Sequence, residues 1–374
     1  MALARCRRLF CCRRRISSGK RADGRVVLQT ERSRARRSVG RAGAFSGRPV
    51  QSRRTLVAAA GCIRRVRTTM KIIVTGAYGF LGRCMLGMGG EHEWIGWSRS
   101  KGAVGDVPCI AVDLADRALL TGLLQEHRPD WVINTAAITN VDGCELDPVD
   151  ARRVNVGMVE NLVAACQAAD VGLAHVSTDY VFDGKNGPYG EEDPTGPLST
   201  YGALKLESEG VVLGGLKRGI VVRTMWLYGY VTGTRPNMLT WPLQTLARGE
   251  TLRIVADQWG NPTYAADLAR ALVDLCALDS VGLWHVGGGS FMTRYEQVVQ
   301  LALFFGLDPD RVAQGLTADL AQPARRPLRS GLSTDALRRH LGWEPMSFSQ
   351  SLEDVLHNGD FCRDFSSIIN ARNV

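Results

Sequence analysis

Tyr201 and Lys205 stand four residues apart in YGALK (201–205), the spacing that puts two side chains on one face of a helix. A free phenol, with a pKa of about 10, is a poor acid or base near neutrality. An ammonium group beside it favours the phenolate and lowers that value, so the pair reads as an acid–base unit. Shortly before it, VSTDYVFDG (176–184) places Thr178, Asp179 and Tyr180 at the end of the apolar run LAHVST. The carboxyl ends of parallel strands are where such folds bind ligands, and a hydroxyl at Thr178 would bond a substrate oxygen and turn it toward Tyr201. A Tyr and a Lys at this spacing also occur on ordinary surface helices. The conjunction with Thr178 and with a glycine loop early in the chain is what points to a site.

That loop is TGAYGFLG (75–82), with Gly76, Gly79 and Gly82 directly after the apolar run KIIVT. In a dinucleotide site the first glycine permits the tight turn, the second lets backbone approach the pyrophosphate, and the third lets the helix lie close to the sheet. The helix start then offers unpaired N–H groups to phosphate. About 20 residues beyond the first glycine an acid would bind a ribose hydroxyl; the chain instead has WSRSK, with Ser98, Arg99 and Lys101. Cations without a carboxylate favour a 2′-phosphate, hence NADP(H), the alternative being a solvated turn. Asp113 in DLAD would accept from an adenine amino group or cap the following helix.

Short apolar runs must hold these residues. KIIVTG (71–76), EWIGW (93–97), CIAVDL (109–114), WVINTAA (131–137), LAHVST (173–178) and IVVRTMW (220–226) read as strands. Helices are expected at 116–127, 148–169 and 200–214, and in a first segment shortened by the GMGG cluster before Gly90. This alternation predicts an α/β fold, a Rossmann-type doubly wound parallel sheet. The rhythm changes after Trp226, with helices at 264–277 and 293–305 and strands at 252–255 and 283–288. Residues 70–225 are therefore expected to form mainly the dinucleotide-binding core. Residues from 226 onward are expected to form a smaller substrate lobe interleaved with returning core elements.

Charge separates this body from what precedes it. Of 46 basic and 37 acidic residues, 20 and two fall in residues 1–69, leaving residues 70–374 with a net charge of −9. An acidic body does not suit nucleic acid, whose phosphates need clustered Lys and Arg. No stretch approaches the roughly 18 apolar residues of a membrane span. The basic segment 1–69 is expected to be disordered, and reads either as an organelle transit peptide or as sequence preceding a true start at Met70. The expected location is cytoplasmic, with organelle targeting if that segment is translated. The body's six cysteines show no CxxC pairing and its histidines no HExxH, so reduced thiols are expected and no metal site is predicted.

Eight segments together resemble one family: KIIVTGAYGFLG, PDWVINTAAIT, VSTDYVFDG, GPYGEEDP, YGALKLESE, VVRTMWLYG, DQWGNPTYAADLA and RRPLRSGLST, spanning 70 to about 345. The body resembles the extended short-chain dehydrogenase/reductases and, within them, the dTDP-4-dehydrorhamnose reductases. The resemblance implies NADPH-dependent reduction, with NADH as the alternative donor, of the C4 ketone of dTDP-4-dehydro-6-deoxy-L-mannose to dTDP-L-rhamnose. It implies that Thr178, Tyr201 and Lys205 are the catalytic hydroxyl, proton donor and supporting lysine, and that Lys205 also holds the nicotinamide ribose. Asn155 would maintain a water path to Lys205. Cofactor contacts would come from Gly76, Tyr78, Gly79, Phe80, Leu81, Gly82, Ser98, Arg99, Asp113, Leu114, Ala136 and Ala137, besides Tyr201 and Lys205. Substrate contacts would come from Thr139, Asp179, Tyr180, Trp226 and Asn237, with Asp183 organising a turn instead. Mg²⁺ and a homodimer are implied by the family alone.

Two departures bear on the sugar. The family commonly has a lysine where this chain has Gly143 in VDGCE, and TMW replaces the more usual TSW at 224–226. Other nucleotide-sugar reductases or epimerases are therefore alternatives. DYVFDG and YGxxKL are also similar to the regulatory beta subunit of methionine adenosyltransferase, which would make the chain an NADP-binding partner subunit. DQWGNPTY and VVRTMW match the reductases better.

Overall fold

The computed structural model describes residues 54–59 and 62–372. Its centre is an eight-stranded sheet: β1 (Lys71–Thr75), β2 (Glu93–Ser98), β3 (Gly102–Val104), β4 (Val107–Ala111), β5 (Trp131–Asn134), β6 (Gly172–Thr178), β7 (Gly219–Thr224) and β8 (Gly282–His285). The order across the sheet is β8-β7-β6-β5-β1-β2-β4-β3. Every pairing is parallel except that of the edge strand β3 with β4. The order reverses beside β1, so β1 and β5 open the crevice that a doubly wound sheet offers to a ligand.

The apolar strands follow from burial on both faces. On one face Ile72, Val74, Ile133, Ala174, Ile220 and Val222 pack under α1 (Phe80–Leu86) and the helix Ala265–Ala277, through Met85, Leu86, Leu268, Leu272 and Leu275. On the other, Ile73, Val132, Leu173 and Val221 meet Leu120 and Leu124 of α2 (Arg117–His127), Leu162 and Cys166 of α3 (Met158–Ala169), and Val212 of α4 (Thr200–Gly215). A separate apolar cluster, containing Tyr228, Leu239, Leu243, Phe305, Phe348 and Phe361, belongs to the segments after Trp226. β8 returns from among them to the sheet, pairing in register with β7 from Gly282↔Ile220 to His285↔Arg223.

Some elements differ from expectation. β4 ends at Ala111, before Asp113, because that carboxylate accepts from the Ala115 N–H (2.9 Å) and turns the chain; the cap of α2 is Asp116, which accepts from the Leu119 N–H (3.0 Å). The helix foreseen over 148–169 is broken into Pro148–Arg152, a wide turn at Arg153–Gly157, and α3. A short helix, Val141–Leu146, follows the loop after β5, and four helices close the chain between Asp335 and Arg372. Residues 54–67 depart from the expected disorder of the basic segment: Arg54–Ala59 and Cys62–Arg67 pair as an antiparallel hairpin, and Arg67 is ion-paired with Asp130 and Asp279. The remainder of that expectation, and the targeting reading with it, lies outside the described residues. Among the described residues no helix is long and apolar enough to cross a membrane.

Candidate active site

Thr178 is the last residue of β6, and Tyr201 lies in the first turn of α4, which starts where the Ser199 hydroxyl accepts from the Gly202 N–H (3.3 Å). No side chain fits at Gly202, whose Cβ would stand 2.2 Å from the Tyr180 carbonyl oxygen. That close approach seats the start of α4 on the Asp179–Val181 turn and sets the Tyr201 phenol against the Thr178 hydroxyl. The Tyr201 ring also packs edge-on against Tyr180, with centroids 5.7 Å apart. Burial pushes the Tyr201 phenol above its ordinary value, while the neighbouring Thr178 hydroxyl pulls the other way. This corrects the expectation that Lys205 lowers it: the lysine makes its bonds elsewhere, and loss of hydration dominates.

Lys205 is almost fully buried. Its Nζ donates to the Val176 carbonyl (2.7 Å) and lies 2.8 Å from His175 Nε2. Burial brings its pKa down to about 7, against the opposing pull of Glu209. Glu209 is held in turn by Ser177 (2.5 Å) and by both Nε (2.9 Å) and Nη2 (2.7 Å) of Arg223. Asn155 sits in the wide turn before α3 and spends its amide on the Ile138 backbone, accepting from N–H (2.8 Å) and donating to the carbonyl (3.0 Å). It thereby shapes the loop after β5.

The glycine loop is built as its spacing predicts. Gly76 adopts φ +65°, and a Cβ there would come within 3.0 Å of the Ala136 N. A Cβ at Gly82 would lie 2.3 Å from the Gly76 carbonyl oxygen, so only glycine lets α1 cross this close to β1. No side chain caps α1 at Gly79, which leaves its first N–H groups to a ligand. Phe80 and Leu81 open α1, and half-buried Ala136 and Ala137 follow β5 across the crevice. Tyr78 reaches across β2, its hydroxyl against Gly102 of β3 and Cys109 of β4, with Arg83 over its ring at 5.3 Å. Ser98 is half-buried and Arg99 exposed at the end of β2, with no carboxylate in that turn. Asp113 is exposed and Leu114 buried beyond β4. A cradle that a single methyl group would fill fits a dinucleotide. No trio of His, Cys, Asp or Glu side chains is gathered for a metal among the described residues, so no donor set is found for Mg²⁺.

Beyond Thr178 the site becomes aromatic and cationic. Asp179 is buried, its Oδ1 accepting from Thr178 (3.1 Å) and its Oδ2 without a hydrogen-bond partner. Burial raises this carboxyl to about 6. Trp226 has φ +45°, a backbone conformation costly for a bulky residue and frequent at binding sites. Stacked on its ring at 4.2 Å is the guanidinium of Arg294, which donates to Gln258 (2.9 Å) and faces Asp179 and Tyr180. Arg326 forks onto Asp142 (2.6 and 3.0 Å), tying the late Pro/Arg loop to the helix after β5. Nothing in the sequence singled out Arg294, Asp142 or His175, because their partners lie far away along the chain. Thr139 is exposed in the loop after β5. Asn237 donates from its amide to the Gly229 carbonyl and accepts from the Leu239 N–H (both 2.9 Å), which leaves one amide hydrogen for the contact expected of it. Asp183 organises its turn, accepting from Tyr189 (2.6 Å) and the Lys185 N–H (3.1 Å). A Cβ at Gly143 would meet the Asn140 amide at 2.7 Å, and that side chain caps the helix, so a lysine here would cost the cap.

Comparison with known proteins agrees with this architecture. The family model described as the RmlD substrate binding domain matches residues 70–360. The chain belongs to this family. Among its relatives is the dTDP-4-dehydrorhamnose reductase of Streptomyces griseus, 36% identical over 281 residues, covering 73% of this chain and 88% of the relative. A crystal structure of a dTDP-4-dehydrorhamnose reductase from Clostridium acetobutylicum superposes with TM-score 0.69 at 31% identity, covering 77% of this chain and 99% of that one. The corresponding enzyme of Bacillus anthracis, solved in complex with NADP, gives TM-score 0.71 at 27% identity, covering 78% and 99%.

Proposed function

We propose that the chain reduces the C4 ketone of dTDP-4-dehydrorhamnose to dTDP-L-rhamnose at the expense of NADPH. The reading is carried by the meeting of the Thr178 hydroxyl and the Tyr201 phenol at the strand ends that flank a dinucleotide cradle. When bound, NADPH supplies the hydride to the ketone carbon. Gly76, Gly79, Gly82 and the first turn of α1 hold its pyrophosphate, Ser98 and Arg99 face its adenosine ribose, and Lys205 serves its nicotinamide ribose.

Tyr201 supplies the proton. Burial keeps the phenol protonated, and the carbonyl oxygen, as it gains charge, becomes a stronger base than a phenolate, so the proton moves downhill from Oη. Thr178 turns its hydroxyl from Asp179 to the same oxygen, stabilising the developing charge. The unpartnered Asp179 Oδ2 accepts from a sugar hydroxyl. Trp226 packs on the deoxysugar ring, and Arg294 and Arg326 offer positive charge to the diphosphate. The phenolate left on Tyr201 is reprotonated from solvent once product leaves.

The test is to incubate the full-length protein with NADPH and dTDP-4-dehydrorhamnose, following loss of the nicotinamide absorbance and the mass of the product. Consumption of NADPH with formation of the alcohol supports the assignment. Tight NADPH binding without oxidation, together with co-purification of a synthetase, would move it to the partner-subunit reading.

A further inference from the structure

His175, three residues before Thr178 in β6, is buried and joined to a polar chain that runs through the sheet. Thr75 Oγ1 donates to Asn134 Oδ1 (2.5 Å), which also accepts from the Ala136 backbone N–H (3.2 Å). Asn134 Nδ2 lies 2.9 Å from His175 Nδ1. His175 Nε2 lies 2.8 Å from Lys205 Nζ and 3.1 Å from Ser208 Oγ. Ser208 Oγ donates to the Lys205 carbonyl (2.7 Å).

The donors and acceptors along this chain are determined by one backbone group. The Ala136 N–H can only donate, so the Asn134 atom facing it is the carbonyl oxygen, and the atom facing His175 is the NH₂. An NH₂ can only donate, so His175 Nδ1 is the accepting nitrogen and the neutral ring carries its hydrogen on Nε2. Ser208 has given its one proton to the Lys205 carbonyl and can only accept from Nε2. The Nε2 hydrogen lies between Ser208 Oγ and the nearer Lys205 Nζ, and a nitrogen that carries hydrogen has no lone pair to accept from an ammonium at 2.8 Å. A neutral amine resolves the conflict, accepting from His175 while donating to the Val176 carbonyl.

We propose that His175 is a positioning residue that donates its Nε2–H to Lys205 and so holds Lys205 as an uncharged amine in the cofactor-free protein. The proposal rests on the reading of Lys205 as the cofactor-facing lysine. The charged and titratable surroundings agree with it. From its own helix Lys205 faces Glu209, and Tyr201 lies one turn earlier. Glu209 is neutralised by Arg223 of β7, and β5 contributes only the uncharged Asn134. Burial above all holds the His175 imidazole well below its usual range, and burial lowers Lys205 to about 7. Binding a polyanionic cofactor with ribose oxygens at Nζ favours the ammonium, so Lys205 gains its proton as the cofactor arrives.

The test uses the full-length, cofactor-free protein labelled with ¹³C in lysine and ¹⁵N in histidine. The chain has six lysines, and the Lys205 signal is assigned by its loss in Lys205→Met. The expected result is a Lys205 titration near pH 7 and an Nε2–H tautomer for His175 at pH 8 to 9, where Lys205 is the amine. Asn134→Asp, which can only accept from the ring, should turn His175 to the Nδ1–H tautomer and raise the Lys205 midpoint by about one unit or more, the size of one hydrogen bond moved from the neutral to the charged form. An Nδ1–H tautomer in the unmutated protein at pH 8 to 9, or a Lys205 that stays charged to pH 9, overturns the proposal whether or not the variant folds. So does a reversed tautomer with an unmoved midpoint. These readouts need no turnover, so failure to reduce the ketosugar would overturn the assigned reaction while leaving this inference standing or falling on the spectra.

Discussion

Replacing Tyr201 with phenylalanine isolates a single atom. The ring would keep its edge-on contact with Tyr180 at 5.7 Å. Thr178 would keep its bond to Asp179 at 3.1 Å, so removing Oη strands no buried donor. The stability cost should stay near that of one hydrogen bond, about 1 kcal/mol. What disappears is the phenol assigned to protonate the reacting oxygen. A positioned general acid contributes about 10²–10⁴-fold, so kcat should fall by that factor in Tyr201→Phe. The NADPH dissociation constant should stay within about three-fold, because the cradle around Gly76 and Gly82 is untouched. The assays are steady-state NADPH oxidation, fluorescence titration with NADPH, and thermal unfolding to show an intact fold. Turnover within ten-fold of the unmutated protein would refute the assignment of Tyr201 as proton donor.

Asp179 gives a pH-dependent prediction. Its folded pKa of about 6 lies above the ordinary 3.8, so the folded state binds its proton more tightly than the unfolded chain. That contribution to stability is fully present below pH 3.8 and is lost as pH rises through 6. Asp179→Asn should therefore stabilise the protein by about 1–3 kcal/mol at pH 8 and little at pH 4; urea melts giving equal gains at both pH values would contradict this. Arg223→Met leaves Glu209 charged, buried and short of its partner, and should cost about 3–5 kcal/mol in the same melts; a loss below 1 kcal/mol would show the pair to be incidental. Gly82→Ala forces a methyl group to 2.3 Å from the Gly76 carbonyl oxygen, and should weaken NADPH binding at least ten-fold; unchanged affinity would mean that the loop relaxes freely.

The fold was largely legible because burial on both faces writes itself locally. Runs such as IIV (72–74) and WVI (131–133) are apolar throughout, and the buried strands they predict stand side by side at the centre of the sheet. The edge strand Gly102–Val104 escaped notice because it is three residues long and mostly exposed. The helix at 148–169 was foreseen whole, yet its wide turn at Arg153–Gly157 was not, since no Pro or paired glycine marks it. At the site, the glycines and the Tyr201–Lys205 spacing carried their own signal, because a positive φ, a close approach and a shared helix face are local requirements. Arg294, Asp142 and His175 carried none.

By itself the sequence determined which residues could do chemistry: a phenol and an amine on one helix face, a hydroxyl at a strand end, and glycines where a helix must approach a sheet. Local spacing decides such things. Which groups these side chains actually touch was decided only by the tertiary structure. Lys205 turned out to bond His175 and Val176, the Tyr201 phenol to be raised by burial, and Arg294 to stack on Trp226 from 68 positions away. Hydration and Coulomb forces act through space, so the protonation of a buried group depends on neighbours that the order of residues does not reveal.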